Sequence, residues 1–195
     1  MKRIINIAIF LIIFALYFVT FMMIYDNFRE RKLNLKEEKA LDILEEKIKE
    51  QEKNPDENAK YGIGYSNFTI LGRLSIPSAH INTVIIKEHT YSAMNVGAVK
   101  TYGVDLNEKG GFVISGHNFR GRSTFFYNIK NLNSGSKIYI TDVLGRKKEY
   151  KVYSVERNVS PNDTSYMKIF DSYHVTLITC ENGGKARIVV KAIGE

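Results

Sequence analysis

The chain has 195 residues, of which 44% are hydrophobic and 25% charged. This size and composition are typical of one globular domain with short additions, and they exclude a disordered, collagen-like or repetitive chain. The formal charge of +7 comes from scattered basic residues, densest at Arg146-Lys147-Lys148, which indicates a solvated basic surface and no nucleic-acid partner.

An uncharged apolar segment from Ile4 to Tyr25 follows Lys2 and Arg3. As a helix it would be about 33 Å long, enough to cross a hydrocarbon core of about 30 Å. It is longer than the core of a signal peptide, and no small-x-small cleavage site follows it. The pattern predicts an uncleaved signal anchor over residues 1–27, with a cleaved signal peptide as the alternative. Basic residues flank both ends of the segment, so charge alone leaves its orientation open.

Residues 28–65 are rich in Glu and Lys up to residue 53. Apolar residues recur there at helical spacing, at Leu33, Ala40, Leu41, Leu44 and Ile48. The spacing predicts an amphipathic helix that stands off the membrane or lies on the following domain, with a self-associating coiled coil as a weaker alternative. Asn54-Pro55-Asp56 ends the helix, and a polar linker completes the segment. We expect a chain beginning near residue 60 to be soluble and active; failure to fold would make the helix part of the domain.

Residues 66–195 alternate short apolar runs with turn residues, which predicts a β-rich domain with short helical insertions. The predicted strands are Phe68 to Ile76, Ile81 to Lys87, Gly111 to Ser115, Lys137 to Asp142, Lys148 to Arg157, Val175 to Cys180 and Arg187 to Ala192. The predicted short helices are Tyr91 to Val96 and Ser123 to Leu132. Six to eight strands this close together favour a closed or nearly closed barrel.

Cys180, the single cysteine of the chain, ends an apolar strand and precedes the turn at Gly183-Gly184. A lone thiol cannot form an intramolecular disulfide, so in an exported protein nucleophilic chemistry is the first alternative to test. A small buried apolar residue is the other interpretation. A free thiol titrates near pH 8.5, and a cysteine nucleophile therefore needs a basic or cationic neighbour and a donor for the oxyanion.

Two residues are candidates for these roles. His117 follows the apolar strand that breaks at Gly116, which would present its imidazole at the mouth of a cleft. Arg187 lies across the predicted hairpin from Cys180 and would hold a fixed positive charge near the sulfur. The alternatives are a surface histidine and a surface arginine on an edge strand.

The run Thr176-Leu177-Ile178-Thr179-Cys180, followed by Arg187, resembles the TLxTC...R signature of the sortases. The segment Gly111 to Asn118 is similar to the histidine motif of that family, and Gly72 to Pro77 is similar to its opening strand. The segment Asn131 to Ile138 resembles the stretch after the family's helix, although an Asp is more usual at Ser136. The resemblance covers roughly residues 66 to 195.

This resemblance implies an eight-stranded β-barrel and a cysteine transpeptidase held outside the membrane of a Gram-positive bacterium. Cys180 would attack an LPXTG-like sorting signal of surface proteins, and an amine of a peptidoglycan precursor would resolve the thioacyl-enzyme. His117 would be the general acid and base, Arg187 would stabilise the oxyanion or position the signal, and Thr179 would contact the substrate beside the nucleophile. The family uses no organic cofactor. Some members bind calcium, but Asp105, Glu108, Asp163 and Asp171 form no clear ligand pattern, so no metal is predicted.

Other functions stay open. A cysteine peptidase would hydrolyse the same acyl-enzyme with the same residues. An L,D-transpeptidase carries its histidine and cysteine close together in a SHGC-like run. The 63 positions between His117 and Cys180 therefore argue against that class. A membrane-anchored, non-catalytic surface domain would carry an inert thiol. Within the sortases, no pilin-type lid motif precedes the barrel and no second span follows it, which favours a wall-anchoring enzyme.

Overall fold

The computed structural model describes residues 2–119 and 126–194. Two compact units divide the chain, one ending at Lys36 and the other beginning at Glu37. Helix α1 (Lys2–Lys53) is one uninterrupted α-helix. It contains no proline or glycine, the two residues that most often break a helix. The predicted anchor and the predicted amphipathic helix are therefore consecutive parts of one helix.

The apolar part of α1 lies in the first unit. All its large apolar side chains that are described between Ile5 and Tyr25 are exposed. Within the described residues, α1 is the one helix long and apolar enough to cross a membrane. Length and composition thus agree with the predicted anchor, and a signal sequence has the same properties.

The second unit contains nine strands within the described residues. They are β1 (Ile63–Tyr65), β2 (Phe68–Ile76), β3 (Ile81–Ile86), β4 (Ala98–Gly103), β5 (Phe112–Ser115), β6 (Lys137–Asp142), β7 (Lys147–Val159), β8 (His174–Glu181) and β9 (Ala186–Gly194). The sheet order is β1-β2-β3-β4-β5-β8-β9-β7-β6, and β6 also pairs with β2. That pairing closes strands β2 to β9 into an eight-stranded barrel, which confirms the predicted fold class.

Short helical turns connect the strands. Helix α2 (Tyr91–Met94) lies between β3 and β4, and 3-10 turns occupy Pro77–Ala79 and Phe126–Asn131. The helix predicted from Ser123 to Leu132 is thus a 3-10 turn in its described part, and residues 123–125 lie outside the described residues. All seven predicted strands are present, and β2 and β6 have the predicted bounds. The prediction missed β1 and β4.

Two apolar clusters stabilise this unit. The first fills the barrel with alternate residues of the strands, such as Leu74, Ile76, Ile114, Leu177, Ile188 and Val190. The second lies outside the barrel, where Ala40 and Leu44 of α1 pack with Ile70, Val84, Ile86 and Val99. Strand β3 is therefore buried on both faces, which explains its nearly continuous apolar run. The amphipathic helix was predicted either to stand off the membrane or to lie on the domain. Its residues 37–53 lie on the domain.

We expect Leu44→Ala to lower the free energy of unfolding by about 2–5 kcal/mol, the usual cost of truncating a fully buried leucine. Leu44 is fully buried in the second cluster, whereas Leu35 on the same helix is 55% exposed. Urea denaturation of a soluble chain beginning at residue 28 measures both variants, and Leu35→Ala serves as the control with a change within about 0.5 kcal/mol. Equal small effects would show that the helix does not stabilise the barrel. For the same reason, a chain beginning at residue 60 should be less stable than one beginning at residue 28.

Candidate active site

Strands β5 and β8 place His117 and Cys180 at the same edge of the barrel. The two strands run parallel, and their last register pair joins Ser115 to Ile178. His117 lies two residues beyond Ser115, and Cys180 lies two residues beyond Ile178. Because neighbouring parallel strands advance in the same direction, equal steps beyond one pair end at the same edge. Residues that are far apart in sequence are thereby neighbours in the fold.

Strand β9 places Arg187 beside the thiol. It runs antiparallel to β8, and its register sets Arg187 directly opposite Cys180. The opposite edge of β9 pairs with β7, where Val159 is the partner of Arg187. Directly opposed residues of an antiparallel pair present their side chains on the same face of the sheet. The hairpin predicted from the sequence therefore brings guanidinium and thiol to one face.

Three hydrogen bonds join the segment around His117 to the end of β8. The Gly116 N–H donates to Ile178 O at 3.2 Å. The Thr179 hydroxyl donates to Gly116 O at 2.6 Å, and Asn118 Nδ2 donates to Cys180 O at 2.6 Å. The first is a backbone bond that continues the strand pairing past the last register pair, and the other two are side-chain bonds to the backbone. They fix the backbone on both sides of His117 relative to the nucleophile candidate.

Glycine is required immediately before His117. A Cβ atom at Gly116 would lie 2.8 Å from two atoms of the Phe126 ring. Phe126 is fully buried, and its N–H donates to His117 O at 2.7 Å. A side chain at position 116 would displace this ring and with it the residue that holds the His117 carbonyl. The glycine-histidine pair seen in the sequence therefore has a packing origin.

Aromatic rings flank the His117 imidazole. The Tyr91 ring meets it edge-on with centroids 5.1 Å apart, and the Phe119 ring lies at 5.4 Å. His117 is half-buried, and desolvation by this burial lowers its pKa below the ordinary value. The neutral imidazole, which can accept a proton, is thus the favoured form near pH 7.

Two backbone carbonyls bind the Arg187 guanidinium. Its Nη1 donates to Gly184 O and to Ala186 O, each at 2.9 Å. Its charge also acts on Tyr166, where burial raises the pKa of the phenol and Arg187 opposes that rise. A guanidinium with one nitrogen fixed in this way can present its remaining N–H groups to a ligand.

A cleft of about 320 Å³ contains all three candidate residues. His117, Cys180 and Arg187 line it together with Thr179. Cys180 is exposed there, so its sulfur is accessible to a ligand. Tyr166, Met167 and Ile178 line it with apolar atoms. The cleft thus combines a thiol, an imidazole and a guanidinium beside an apolar wall, the groups that a cysteine nucleophile would need.

Residues 74–194 match the family model of the sortase domain. The chain belongs to the sortase family. It is 26% identical over 136 residues to sortase A of Listeria monocytogenes, covering 70% of this chain and 60% of the relative. It is 31% identical over 111 residues to sortase A of Bacillus anthracis, covering 57% of this chain and 52% of that relative. The alignments therefore span less than two thirds of these relatives.

Solved structures extend the similarity to the fold. A sortase D5 transpeptidase from Clostridium perfringens superimposes with a TM-score of 0.67 at 27% identity, covering 82% of this chain and 98% of the other. Sortase A from Corynebacterium diphtheriae superimposes with a TM-score of 0.60 at 26% identity, covering 67% and 62%. The barrel of this sortase is therefore the family barrel, and relatives of more than one subclass resemble it.

The structure adds positioning groups that the sequence motifs of the sortase did not identify. Asn118 Nδ2 donates to Cys180 O, and the Tyr91 ring contacts the His117 imidazole. Asn118 ends the quoted histidine motif and Tyr91 begins a predicted short helix, but the motifs assigned neither residue a role. Thr179 is 3% exposed, and its hydroxyl is bonded to Gly116 O. Its role as a substrate contact stays a prediction, and the hydrogen bond adds a positioning role.

Two of the four acidic residues named in connection with calcium line a different cavity. Asp105 and Glu108 line a separate cavity of about 120 Å³ together with Arg146. Glu108 pairs with Arg146 at 3.0 Å in that cavity. Among the described residues, no group of three or more His, Cys, Asp or Glu side chains has a metal-binding arrangement.

Proposed function

We propose that this sortase is a membrane-anchored cysteine transpeptidase that cleaves an LPXTG-like sorting signal and transfers the protein to an amine of the cell wall. The observation that carries the proposal is the single cleft lined by Cys180, His117 and Arg187. These residues supply the nucleophile, the acid and base, and the positive charge that acyl transfer through a thioester needs.

Acylation uses the neutral imidazole first. His117 takes the proton from the Cys180 thiol as the sulfur attacks the carbonyl that precedes the signal's glycine or similar small residue. Arg187 stabilises the oxyanion of the tetrahedral intermediate with its free N–H groups. The imidazolium then gives its proton to the leaving amine, the C–N bond breaks, and a thioester to Cys180 remains.

Deacylation reverses these roles. The acceptor amine attacks the thioester carbonyl while His117 removes one of its protons. The C–S bond then breaks, and the imidazolium returns the proton to the departing Cys180 sulfur. An amide joins the surface protein to the acceptor, for which a peptidoglycan precursor is the proposed source. Water in place of the amine would give hydrolysis, so the fate of the thioester decides between transpeptidase and peptidase.

The apolar part of α1 supports the proposed location. It would hold the enzyme in the plasma membrane as a single-pass anchor, with the barrel on the extracellular side where sorting signals and wall precursors meet. Basic residues flank both ends of the segment, so the charge pattern is compatible with either orientation. The extracellular orientation therefore rests on the proposed chemistry.

Peptide turnover tests the function directly. A soluble chain beginning at residue 28 is incubated with a library of fluorogenic pentapeptides, with and without candidate amines such as oligoglycine. We expect cleavage of an LPXTG-like peptide and amine-dependent formation of a new amide, seen by mass spectrometry. Cleavage without amide formation with any amine would identify a peptidase. No cleavage, with a thiol that reacts slowly at all pH values, would identify a non-catalytic surface domain.

We expect Cys180→Ala to abolish both cleavage and the covalent adduct, because no other side chain in the chain can form a thioester. Mass spectrometry of the intact protein after mixing with substrate detects the thioester as a mass increase on wild type. The exposed position of Cys180 means that the variant should unfold at the wild-type temperature. Residual cleavage by the folded variant would assign the chemistry to another residue.

A further inference from the structure

Glu181 is a buried carboxylate next to the nucleophile. It is 5% exposed, whereas its neighbour Cys180 is exposed. Successive residues of a strand face opposite sides of the sheet, and Glu181 continues the inward series of Val175 and Leu177. An ionisable group at an inward position costs free energy unless it is paired, so its contacts need an explanation.

The carboxylate is paired with the end of β7. Arg157 Nε donates to Glu181 Oε1 at 2.7 Å, and Arg157 Nη2 donates to the same oxygen. The Asn158 N–H donates to Glu181 Oε2 at 2.7 Å. Desolvation raises the pKa of Glu181, but the hydrogen bonds from Asn158 and Arg157 outweigh it and lower the pKa overall. The group is therefore ionised at neutral pH.

These contacts reach across an intervening strand. β9 lies between β8 and β7, and the residue of β9 directly opposite Glu181 is Ala186. Paired residues share a face, so the small Ala186 side chain leaves room for Glu181 to extend over β9. The β7–β9 register shifts between Glu156 and Val159, and such an irregularity leaves backbone groups unpaired. The Glu181 carboxylate accepts from one of them.

The backbone on both sides of this contact is locally constrained. Asn158 and Asn182 both adopt the left-handed region, with φ of 55° and 50°. Their side chains are joined by a hydrogen bond of 3.0 Å from Asn182 Nδ2 to Asn158 Oδ1. Unfavourable backbone conformations persist where the surrounding contacts determine them. Glu181 and its partners thus fix the end of β7 and the turn that leads to Arg187.

We infer that Glu181 is a positioning residue that holds Cys180 and Arg187 in register by bracing β8 against β7. This role rests on the proposed function, because it concerns the alignment of the thiol with the oxyanion-stabilising guanidinium. Glu181 does not touch the reacting atoms. Its bonds to β7 determine where β8 ends and where the β8–β9 turn begins. That turn supplies Gly184 O and Ala186 O, which hold Arg187.

Steady-state kinetics of Glu181→Ala test this role. We expect kcat to fall at least about tenfold while KM changes less than about twofold, the pattern for a loss of alignment in the transition state. Glu181→Gln should lose less activity than Glu181→Ala, since its amide oxygen still accepts from Arg157, whereas its amide nitrogen cannot accept from the Asn158 N–H. The control is Glu156→Ala, which removes a β7–β9 ion pair with Lys191 of 2.6 Å that lies outside the cleft residues. It should leave kcat unchanged.

Alkylation of Cys180 gives a readout that does not depend on turnover. When Arg187 lies close to the sulfur, its positive charge raises the ratio of the alkylation rate with anionic iodoacetate to the rate with neutral iodoacetamide. Loss of register in Glu181→Ala should lower this rate ratio. Removal of a negative charge alone would raise it, because the nearby potential becomes more positive. The two explanations thus predict opposite signs.

The outcomes distinguish a positioning role of Glu181 from a purely structural role. A lower ratio and a lower kcat in folded Glu181→Ala, with partial rescue by Glu181→Gln, support positioning. A lower melting temperature with an unchanged or higher ratio and an unchanged kcat per folded molecule would overturn it and leave a purely structural role. If wild type cleaves no peptide, the proposed function fails, and the alkylation ratio still decides whether Glu181 holds the pair in register.

Discussion

His117→Ala is expected to reduce turnover by about 10²–10⁴, the usual contribution of a positioned acid and base. The imidazole is half-buried between Tyr91 and Phe119, and it lines the same cleft as Cys180. Without it, the proposed mechanism lacks the group that takes the thiol proton and returns it to the leaving amine. The measurement is the kcat/KM of the fluorogenic peptide, together with the rate of thioester formation.

His80→Asn is the matched control for this variant. His80 follows the turn Pro77–Ala79 in the left-handed region, with a φ of 55°. Asn tolerates that conformation, so the substitution removes an imidazole without straining the backbone. His80 is not among the residues of the cleft. Full activity in folded His117→Ala, or an equal loss in His80→Asn, would reject the assigned role of His117.

The pH dependence follows from the burial of His117. Desolvation lowers its pKa in the folded chain below the value of about 6.5 for an exposed histidine. Between the two pKa values the unfolded chain therefore binds more protons at this residue than the folded chain does. The folded state consequently loses stability as the pH falls from about 6.5 through the folded pKa. Turnover should fall as the pH passes down through the folded pKa of His117, where the base is protonated. In folded His117→Gln this acid-side loss of stability should be smaller, which thermal unfolding at a series of pH values measures.

Much of the barrel could be predicted because its strands carry local signals. Phe68–Ile76 and Lys137–Asp142 alternate apolar and polar residues between turn residues, and both were predicted at their observed bounds. Ala98–Gly103 was missed because its apolar residues stop after Val99. Its strand conformation comes from parallel pairing with Ile85 and Ile86, which no local pattern reveals.

The candidate site depended on a similar long-range pairing. Alternation alone places Cys180 at the end of a strand and His117 beyond another, but it does not show that the two strands are parallel neighbours. The register pair Ser115–Ile178 supplies that information. Glu181 was detectable in principle as an acidic residue at an inward position of an apolar strand. Its partners were not, because Arg157 and Asn158 reach it across β9.

Arg187→Ala is expected to lower kcat/KM by about 10²–10³, the cost of removing one donor to a developing oxyanion. The guanidinium lies opposite Cys180 and lines the cleft, while Nη1 is held by Gly184 O and Ala186 O. Single-turnover formation of the thioester measures the effect on the acylation step. Lys185→Ala is the control, since it removes an exposed cation two residues away and should retain wild-type rates.

Arg187→Lys separates charge from geometry. An ammonium keeps the positive charge, but as a single donor centre it cannot bond the two turn carbonyls and also present planar N–H groups to the oxyanion. We therefore expect Arg187→Lys to lose nearly as much activity as Arg187→Ala. If Arg187→Lys keeps more than about a third of the wild-type kcat/KM, positive potential alone is sufficient, and the fixed orientation by Gly184 and Ala186 has no catalytic role. If both variants form the thioester at the wild-type rate, the guanidinium acts after acylation or not at all, and the oxyanion must be stabilised by another group of the cleft.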